Sequence, residues 1–405
     1  MSSHLFIALS TKGLGGTTLG LQIARALRRQ GEDVAFLIHP SSEPLLQASS
    51  FDYMAINDHV GPMLPIYLSK LMATSKADDL FLSDLATTDL WLDRYGLSPE
   101  TLLDFGLPIY AIDTWCIDIT GTEMDIYWRS KRRFHNWSNQ IDCLAQPSPL
   151  APPQGTSNPY SAVPDPVASD ASVGQALRKR LGLNTSDQII LFCTADWQQT
   201  RYRCTEAQRF SETLPHLLAS YLRHLGSDVH LIHVGPRPYQ LDLGERYHWI
   251  SQLLPNDFAE ILGGSDLLLT VNISSTTIAQ AMISGVPVLA VINSFELETE
   301  SDIDALPFEL DVEDTAPWLR ENLPLYRYYM WPVGFYDFLD PILRDGAYLN
   351  AIVTVELLHR ELVVAAIDDL LWSSTRRTAV IEAQASYAAT LRTLPSPTEL
   401  LMNVS

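Results

Sequence analysis

Short, wholly apolar runs alternate along the chain with longer stretches of helical period. Residues 5–9, 33–38, 80–84 and 106–112 read as buried strands, because each is β-prone and apolar without polar alternation. Residues 188–193, 229–234, 266–271 and 287–291 read the same way. Between them, apolar residues recur three and four apart. Leu19, Ile23 and Leu27 mark one such face. Residues 66–72, 173–181, 205–225, 257–262 and 278–283 predict further helices, and 355–371 and 375–392 predict two amphipathic helices near the end. Strands alternating with helices predict α/β domains built on parallel sheets.

The pattern breaks once. Residues 145–172 hold seven prolines and no apolar period, so they read as a linker and a domain boundary. A chain of 405 residues is long enough for a domain on either side. Hydrophobic residues are 46% and charged residues 19%, an ordinary globular composition. The net charge of −21 argues against nucleic acid and anionic membrane as partners. Cys116, Cys143, Cys193 and Cys204 form no CxxC pair, which argues against a structural zinc site and a disulfide framework; no metal site is expected. The first residues read as a strand and not as a signal peptide, and no apolar run approaches the roughly 20 residues of a membrane span. A cytoplasmic location is the expectation.

One stretch carries the densest chemistry. The strand at 266–271 runs into Asn272, Ser274, Ser275, Thr276 and Thr277, all helix-capping types, and the helix at 278–283 follows at once. Gly285 stops that helix, and the strand at 287–291 completes a β-turn-α-β unit. In an open α/β sheet, ligands bind at the carboxyl ends of the strands. Free N–H groups and the positive end of a helix dipole suit a phosphate there. The plain alternative is an ordinary βαβ unit whose hydroxyls only cap a helix.

This stretch resembles the donor-binding helix of GT-B glycosyltransferases, which reads Asp, strand, small-residue loop, Ser/Thr-x-x-Glu, Gly-x-Pro, strand. Thr277 falls on the family's Ser/Thr, which contacts the diphosphate. Gln280 falls on the Glu that holds the ribose diol, and an amide can still hydrogen-bond a diol. Residues 250–254, with Leu253 and the following Pro255, resemble the family segment whose backbone meets the nucleobase. The resemblance places Thr194, after the strand at 188–193, in a loop near the donor phosphates. Arg237 is one of few cations in this region and reads either as a phosphate contact or as a surface turn.

The glycine-rich turn at 10–18 admits two readings. Lys12-Gly13 and Gly15 to Thr18 look like a deviant P-loop, with Gly16 where the phosphate-binding Lys belongs. The turn also resembles the N-terminal loop of GT-B enzymes, where Gly15 and Gly16 would let the backbone approach acceptor or donor sugar. Thr17 then stands where many members carry His. Only the second reading also accounts for the second half of the chain.

Asp84 and Asp113 end two predicted strands and are candidate general bases toward an acceptor hydroxyl. Caps and turns are the commoner use of Asp in such places. His39 is a third candidate. Residues 85–89 read as a loop, and the basic-aromatic residues 129–137 read as a solvated helix face. Residues 325–339 are dense in aromatics, which are more often core than a sugar platform.

The resemblance implies two facing doubly wound domains with a cleft. Residues 1–144 would form the acceptor-side domain and 173–380 the nucleotide-sugar domain, with a helix and tail at 381–405 packing back on the first. The activity implied is transfer of a sugar from a UDP- or TDP-sugar to a soluble small-molecule or peptide acceptor, without a metal and with a general base. The alternatives are a GT-B-fold nucleotide-sugar epimerase and a non-catalytic GT-B-like partner of another enzyme. The oligomeric state is not read from the sequence.

Overall fold

The computed structural model describes residues 2–10, 13–127, 130–135, 137, 140–148, 158–164, 166–200, 204–251, 253–344, 346–397 and 399–400, with the side chains of Asp58 and Leu144 left aside. The chain divides into two compact units. Unit 1 comprises Met1–Glu123, Arg133–Val163 and Ala389–Ser405; unit 2 comprises Met124–Arg132 and Pro164–Ala388.

Unit 1 is built on a seven-stranded parallel sheet. Its strands are β1 (Ser3–Ala8), β2 (Asp33–Ile38), β3 (Asp52–Ala55), β4 (Asp79–Leu82), β5 (Ile109–Ile112), β8 (Cys143–Pro147) and β9 (Pro159–Tyr160). The order β3-β2-β1-β4-β5-β8-β9 means that the chain first builds outward from β1 on one side and then returns to build from β4 on the other. The switch point therefore lies between β1 and β4. β1 is apolar from Leu5 to Ala8 because it is buried on both faces and registered against both neighbours, with Leu5 opposite Ala35 and Leu80. Phe6 stacks on Phe36 at 5.0 Å and on Phe81 at 4.6 Å, tying three strands together on one face of the sheet.

Unit 2 holds a six-stranded parallel sheet of order β12-β11-β10-β13-β14-β17. The strands are β10 (Gln188–Cys193), β11 (Val229–Val234), β12 (Tyr247–Ile250), β13 (Leu267–Thr270), β14 (Val288–Ile292) and β17 (Val353–Glu356). Its switch point lies between β10 and β13. The amphipathic helix Thr205–Arg223 lays Phe210, Leu214, Leu217, Leu218 and Tyr221 into the core of this unit. A separate four-stranded sheet orders β15 (Tyr328–Met330), β16 (Gly334–Phe335), β6 (Glu123–Ile126) and β7 (Ser130–Arg133). β16 pairs antiparallel with both β15 and β6.

The structure departs from the sequence expectations in four places. Residues 85–89 are not a loop: they begin the helix Leu85–Arg94, which Asp84 caps by accepting from the Thr87 N–H. Residues 353–356, whose β-branched Val-Thr-Val alternation favours extended backbone, are the edge strand β17, and the helix starts only at Arg360. The basic run is not a helix face: Ser130–Arg133 is a strand, while Arg129 lies outside the described residues. Within 145–172, Pro147 belongs to β8 and Pro159–Tyr160 form β9, at the sheet edge where proline's missing N–H is tolerated. Near the end of the chain, the helix Ser374–Leu391 leads to Pro395, whose carbonyl accepts the Ser161 N–H at 2.8 Å, and to Leu400 in the unit 1 core.

Candidate functional site

In unit 2 the chemistry gathers where β10 and β13 part. The loop after β13 is held by its own polar side chains. Thr270 Oγ1 accepts from the Asn272 N–H at 3.1 Å, and Asn272 Oδ1 accepts from the Ser274 N–H at 3.1 Å and from the Ser274 hydroxyl at 2.8 Å. Ser275 then caps the helix Thr276–Ile283, its hydroxyl accepting from the Thr277 N–H at 3.3 Å. First-turn N–H groups have no carbonyl partner within their own helix, so this end of the helix keeps donors and a positive dipole end. Thr276 is exposed, and Thr277 and Gln280 are partly exposed. No side-chain hydrogen bond ties Thr276, Thr277 or Gln280 to the described residues. The structure thus brings Ser274, Ser275, Thr276, Thr277 and Gln280 together on one loop and helix start, and leaves three of their side chains unspent.

Thr194, at the end of β10, lies deeper. It is 8% exposed, and its hydroxyl meets His233 Nε2 at 2.7 Å and the Gln199 amide at 3.3 Å. His233 is wholly buried, and burial pushes its pKa down to about 4. A neutral ring carries one N–H. Tyr247 Oη, which accepts the Tyr239 N–H, lies 2.8 Å from His233 Nδ1. The Tyr247 proton suits Nδ1, which leaves the N–H on Nε2 to donate to Thr194. Arg237 is exposed, and both its backbone N–H and its guanidinium donate to Gln199. Leu253 is partly exposed in the segment that enters the helix Pro255–Gly264. Trp249, at 41% exposure, stands just before it with its indole N–H on the Gly235 carbonyl at 3.0 Å. A polar cavity of about 550 Å³ lies at the opposite, amino ends of β10, β11 and β12, lined by Asp187, Asp228, His230, Glu245 and His248 among others.

In unit 1 the corresponding place is the parting of β1 and β4. The helix Gly15–Arg29 begins there, and its glycines let it approach β4 closely. A Cβ on Gly16 would lie 2.6 Å from the Asp84 Cβ, and one on Gly20 would lie 2.3 Å from the Ser83 hydroxyl. Thr17 does not face outward: it is 1% exposed, with its hydroxyl 2.9 Å from that of Ser42. Lys12, central to the P-loop reading, lies outside the described residues.

The two candidate carboxylates differ. Asp84 is partly exposed and accepts from the Thr87 N–H at 2.9 Å and the Thr87 hydroxyl at 2.8 Å. Its pKa is raised, chiefly because its surroundings desolvate the charge. Asp113 is 1% exposed and accepts from the Ile117 N–H at 2.8 Å and the Trp115 N–H at 3.2 Å. Burial pushes its pKa up to about 6 against the opposing pull of those N–H groups. It anchors a turn that carries Cys116 in the left-handed region, at φ 52°. His39 caps a short turn by accepting from the Ser41 N–H.

One polar cluster went unread in the sequence. Asp89, 1% exposed, accepts from the Trp137 indole at 2.7 Å, from His135 Nδ1 at 2.7 Å and from the His135 N–H at 3.2 Å. The partners are 46 and 48 residues away, so no local spacing signals them. Among the described residues, no group of three or more His, Cys, Asp or Glu is arranged to hold a metal ion, and no helix is long and apolar enough to cross a membrane.

Solved structures that share this fold include the spinosyn forosaminyltransferase SpnP, with a TM-score of 0.57 and 13% identity over 100% of this chain and 98% of that one. The Anabaena protein Alr3699/HepE, in complex with UDP and glucose, has a TM-score of 0.57 at 11% identity, again over 100% and 98%. The spinosyn rhamnosyltransferase SpnG, complexed with thymidine diphosphate, has a TM-score of 0.56 at 12% identity over 100% of both chains. At these identities the likeness establishes the fold alone. No curated protein matches the chain in sequence. The two doubly wound parallel sheets are those of the GT-B fold, and the chain belongs to the family of unknown function DUF6365, which matches it over residues 23–405.

Proposed function

We propose that the protein transfers a sugar from a nucleoside-diphosphate sugar to an acceptor hydroxyl. The observation that carries this reading is the helix start at Ser275–Thr277: hydroxyls and N–H groups at the switch point of a parallel sheet, with no carboxylate among the described residues bonded to them. The GT-B fold supports it, and UDP with glucose in Alr3699/HepE and thymidine diphosphate in SpnG make a UDP- or TDP-sugar the donor of choice. In this reading unit 2 binds the donor and unit 1 the acceptor. The Asn272–Thr277 loop takes the diphosphate, Gln280 the ribose diol, and Leu253 the nucleobase edge through its backbone. Thr194 acts through the His233 network beneath the site, and Arg237 is a secondary phosphate contact.

Chemically, the acceptor hydroxyl gives up its proton and its oxygen bonds to the anomeric carbon. The bond from that carbon to the diphosphate oxygen breaks, and the charge gathering on the diphosphate is met by the helix dipole and the threonine hydroxyls. No metal ion is needed for that step. Asp84 is the stronger candidate for the base. It is partly exposed, it touches the Gly16 turn, and desolvation raises its pKa. Asp113 is almost wholly buried where no acceptor reaches it, and its role in this reading is to hold its turn. The acceptor is a soluble small molecule or peptide, and the setting is the cytoplasm.

Calorimetric titration with UDP, TDP, GDP, CMP and ATP tests the donor assignment. Saturable binding of one nucleoside diphosphate is expected. Binding of ATP alone would move the ligand to the glycine turn at 13–18, and binding of none would leave a non-catalytic partner protein as the reading.

A further inference from the structure

The loop between β13 and the Thr276–Ile283 helix is held from below as well as from within. Ile273 is wholly buried, and both its backbone groups point into the interior. Its N–H donates to the Tyr329 carbonyl at 3.0 Å. Its carbonyl accepts the hydroxyl of Tyr348 at 2.6 Å. Tyr348 is 2% exposed, sits on the short helix Ala347–Asn350 and packs near the Tyr387 ring at 6.1 Å. A trans peptide is planar, with its C=O and N–H pointing in opposite directions. Drawing the Ile273 carbonyl inward therefore turns the Ser274 N–H of the same peptide outward, where Asn272 Oδ1 meets it.

We propose that Tyr348 is a positioning residue for the diphosphate-binding loop: its buried hydroxyl locks the Ile273–Ser274 peptide so that the carbonyl oxygen stays in the interior and does not face a bound anion. This rests on the donor reading given above. Without the hydroxyl, the Ile273 carbonyl is a buried acceptor lacking a partner, a state costly enough to favour other loop arrangements. A flipped peptide would present an oxygen to the phosphate and repel it. The effect is confined to ligands that carry the diphosphate. In this reading the nucleobase meets the backbone at Leu253 and the ribose diol meets Gln280, one turn further along the helix, so neither contacts that peptide.

The test compares UDP with uridine, and TDP with thymidine, on wild type and Tyr348→Phe by calorimetry. Phe keeps the ring and its packing and removes only the hydroxyl. The expected result is a loss of about tenfold or more in diphosphate affinity, in line with orphaning one buried acceptor, with nucleoside affinity unchanged. Tyr387→Phe, which alters the neighbouring ring, should leave the diphosphate-to-nucleoside ratio at the wild-type value even if it lowers Tm. If Tyr348→Phe fails to fold, Tyr348→Gln, whose amide can still donate to the Ile273 carbonyl, should keep a higher diphosphate-to-nucleoside ratio than Tyr348→Met, which is of similar size and cannot. Equal losses for diphosphate and nucleoside, or none, would overturn the positioning role while leaving the donor site in place. A wild-type protein that binds no nucleotide would overturn both.

Discussion

A Thr277→Asp variant should bind nucleoside diphosphate about a thousandfold more weakly than the wild type while keeping its fold. Thr277 is partly exposed in the first turn of the Thr276–Ile283 helix, with no side-chain hydrogen bond to the described residues. A carboxylate there suits the helix, because negative charge near a helix N-terminus is stabilising by a few tenths to about 1 kcal/mol. It does not suit a diphosphate. Two unit charges about 4 Å apart, at the effective dielectric of a protein surface, repel by about 4 kcal/mol. That corresponds to roughly three powers of ten in affinity. The opposed signs make the variant informative: Tm holds or rises while binding is lost. Thr277→Ser, which retains the hydroxyl, should bind as the wild type does. Calorimetry and a melting curve on the same samples check both halves. Unchanged diphosphate affinity in Thr277→Asp would remove the phosphate from this helix.

The largest effect on stability is expected in unit 1. Asp89→Ala should lower the unfolding free energy by about 2–5 kcal/mol, the cost of leaving two buried or half-buried donors without their acceptor. Asp89 is 1% exposed and Trp137 is wholly buried. Without the carboxylate, the Trp137 indole N–H loses its 2.7 Å acceptor and the His135 backbone N–H loses its own. Both donors then stay buried or partly buried without a partner, each at a cost of about 1–3 kcal/mol. Asp89→Asn keeps one acceptor oxygen but turns an NH2 toward N–H donors, so it should fall between wild type and alanine. Urea denaturation of the three proteins measures the order. A change below about 1 kcal/mol in Asp89→Ala, the level of an ordinary surface substitution, would contradict this account of the network.

The parts of the fold visible in the sequence are those fixed by local physics. β10, β11 and β2 begin and end where expected because each is an apolar run closed by polar or glycine residues on both sides. The Ser275 cap was visible because capping uses residue types that favour few other places. The helix Leu85–Arg94 is not read from the sequence because Thr87, Thr88 and Asp89 are loop-favouring types; Asp84 caps it locally through Thr87 and Thr88, while the buried partner of Asp89, Trp137, is supplied only by the fold. Likewise Val353–Glu356 is a strand because β14 lies beside it, with Leu289 opposite Val353. The sheet that joins Gly334 to Ile126 has strands of two to four residues and spans more than 200 positions of chain, beyond the reach of any periodicity.

The candidate site divides along the same line. Ser274 to Thr277 were legible as a unit, since a hydroxyl run between strand and helix is local. The burial of Thr17, Thr194 and Asp113 was not, because it depends on Ser42, His233 and the Ile117 turn. Nor was the Tyr348 hydroxyl on the Ile273 carbonyl, 75 residues away.

The central claim is that the protein moves a sugar from a nucleoside-diphosphate donor. Its most direct test is to incubate wild type and Asp84→Asn with UDP- and TDP-sugars and a panel of hydroxyl acceptors, and to follow nucleoside diphosphate released together with glycosylated product. The account predicts release and product with one donor class, and a fall of about 10²–10⁴-fold in turnover for Asp84→Asn with diphosphate binding retained. A protein that binds the diphosphate yet releases none from any donor, or an Asp84→Asn variant that turns over like the wild type, would contradict it.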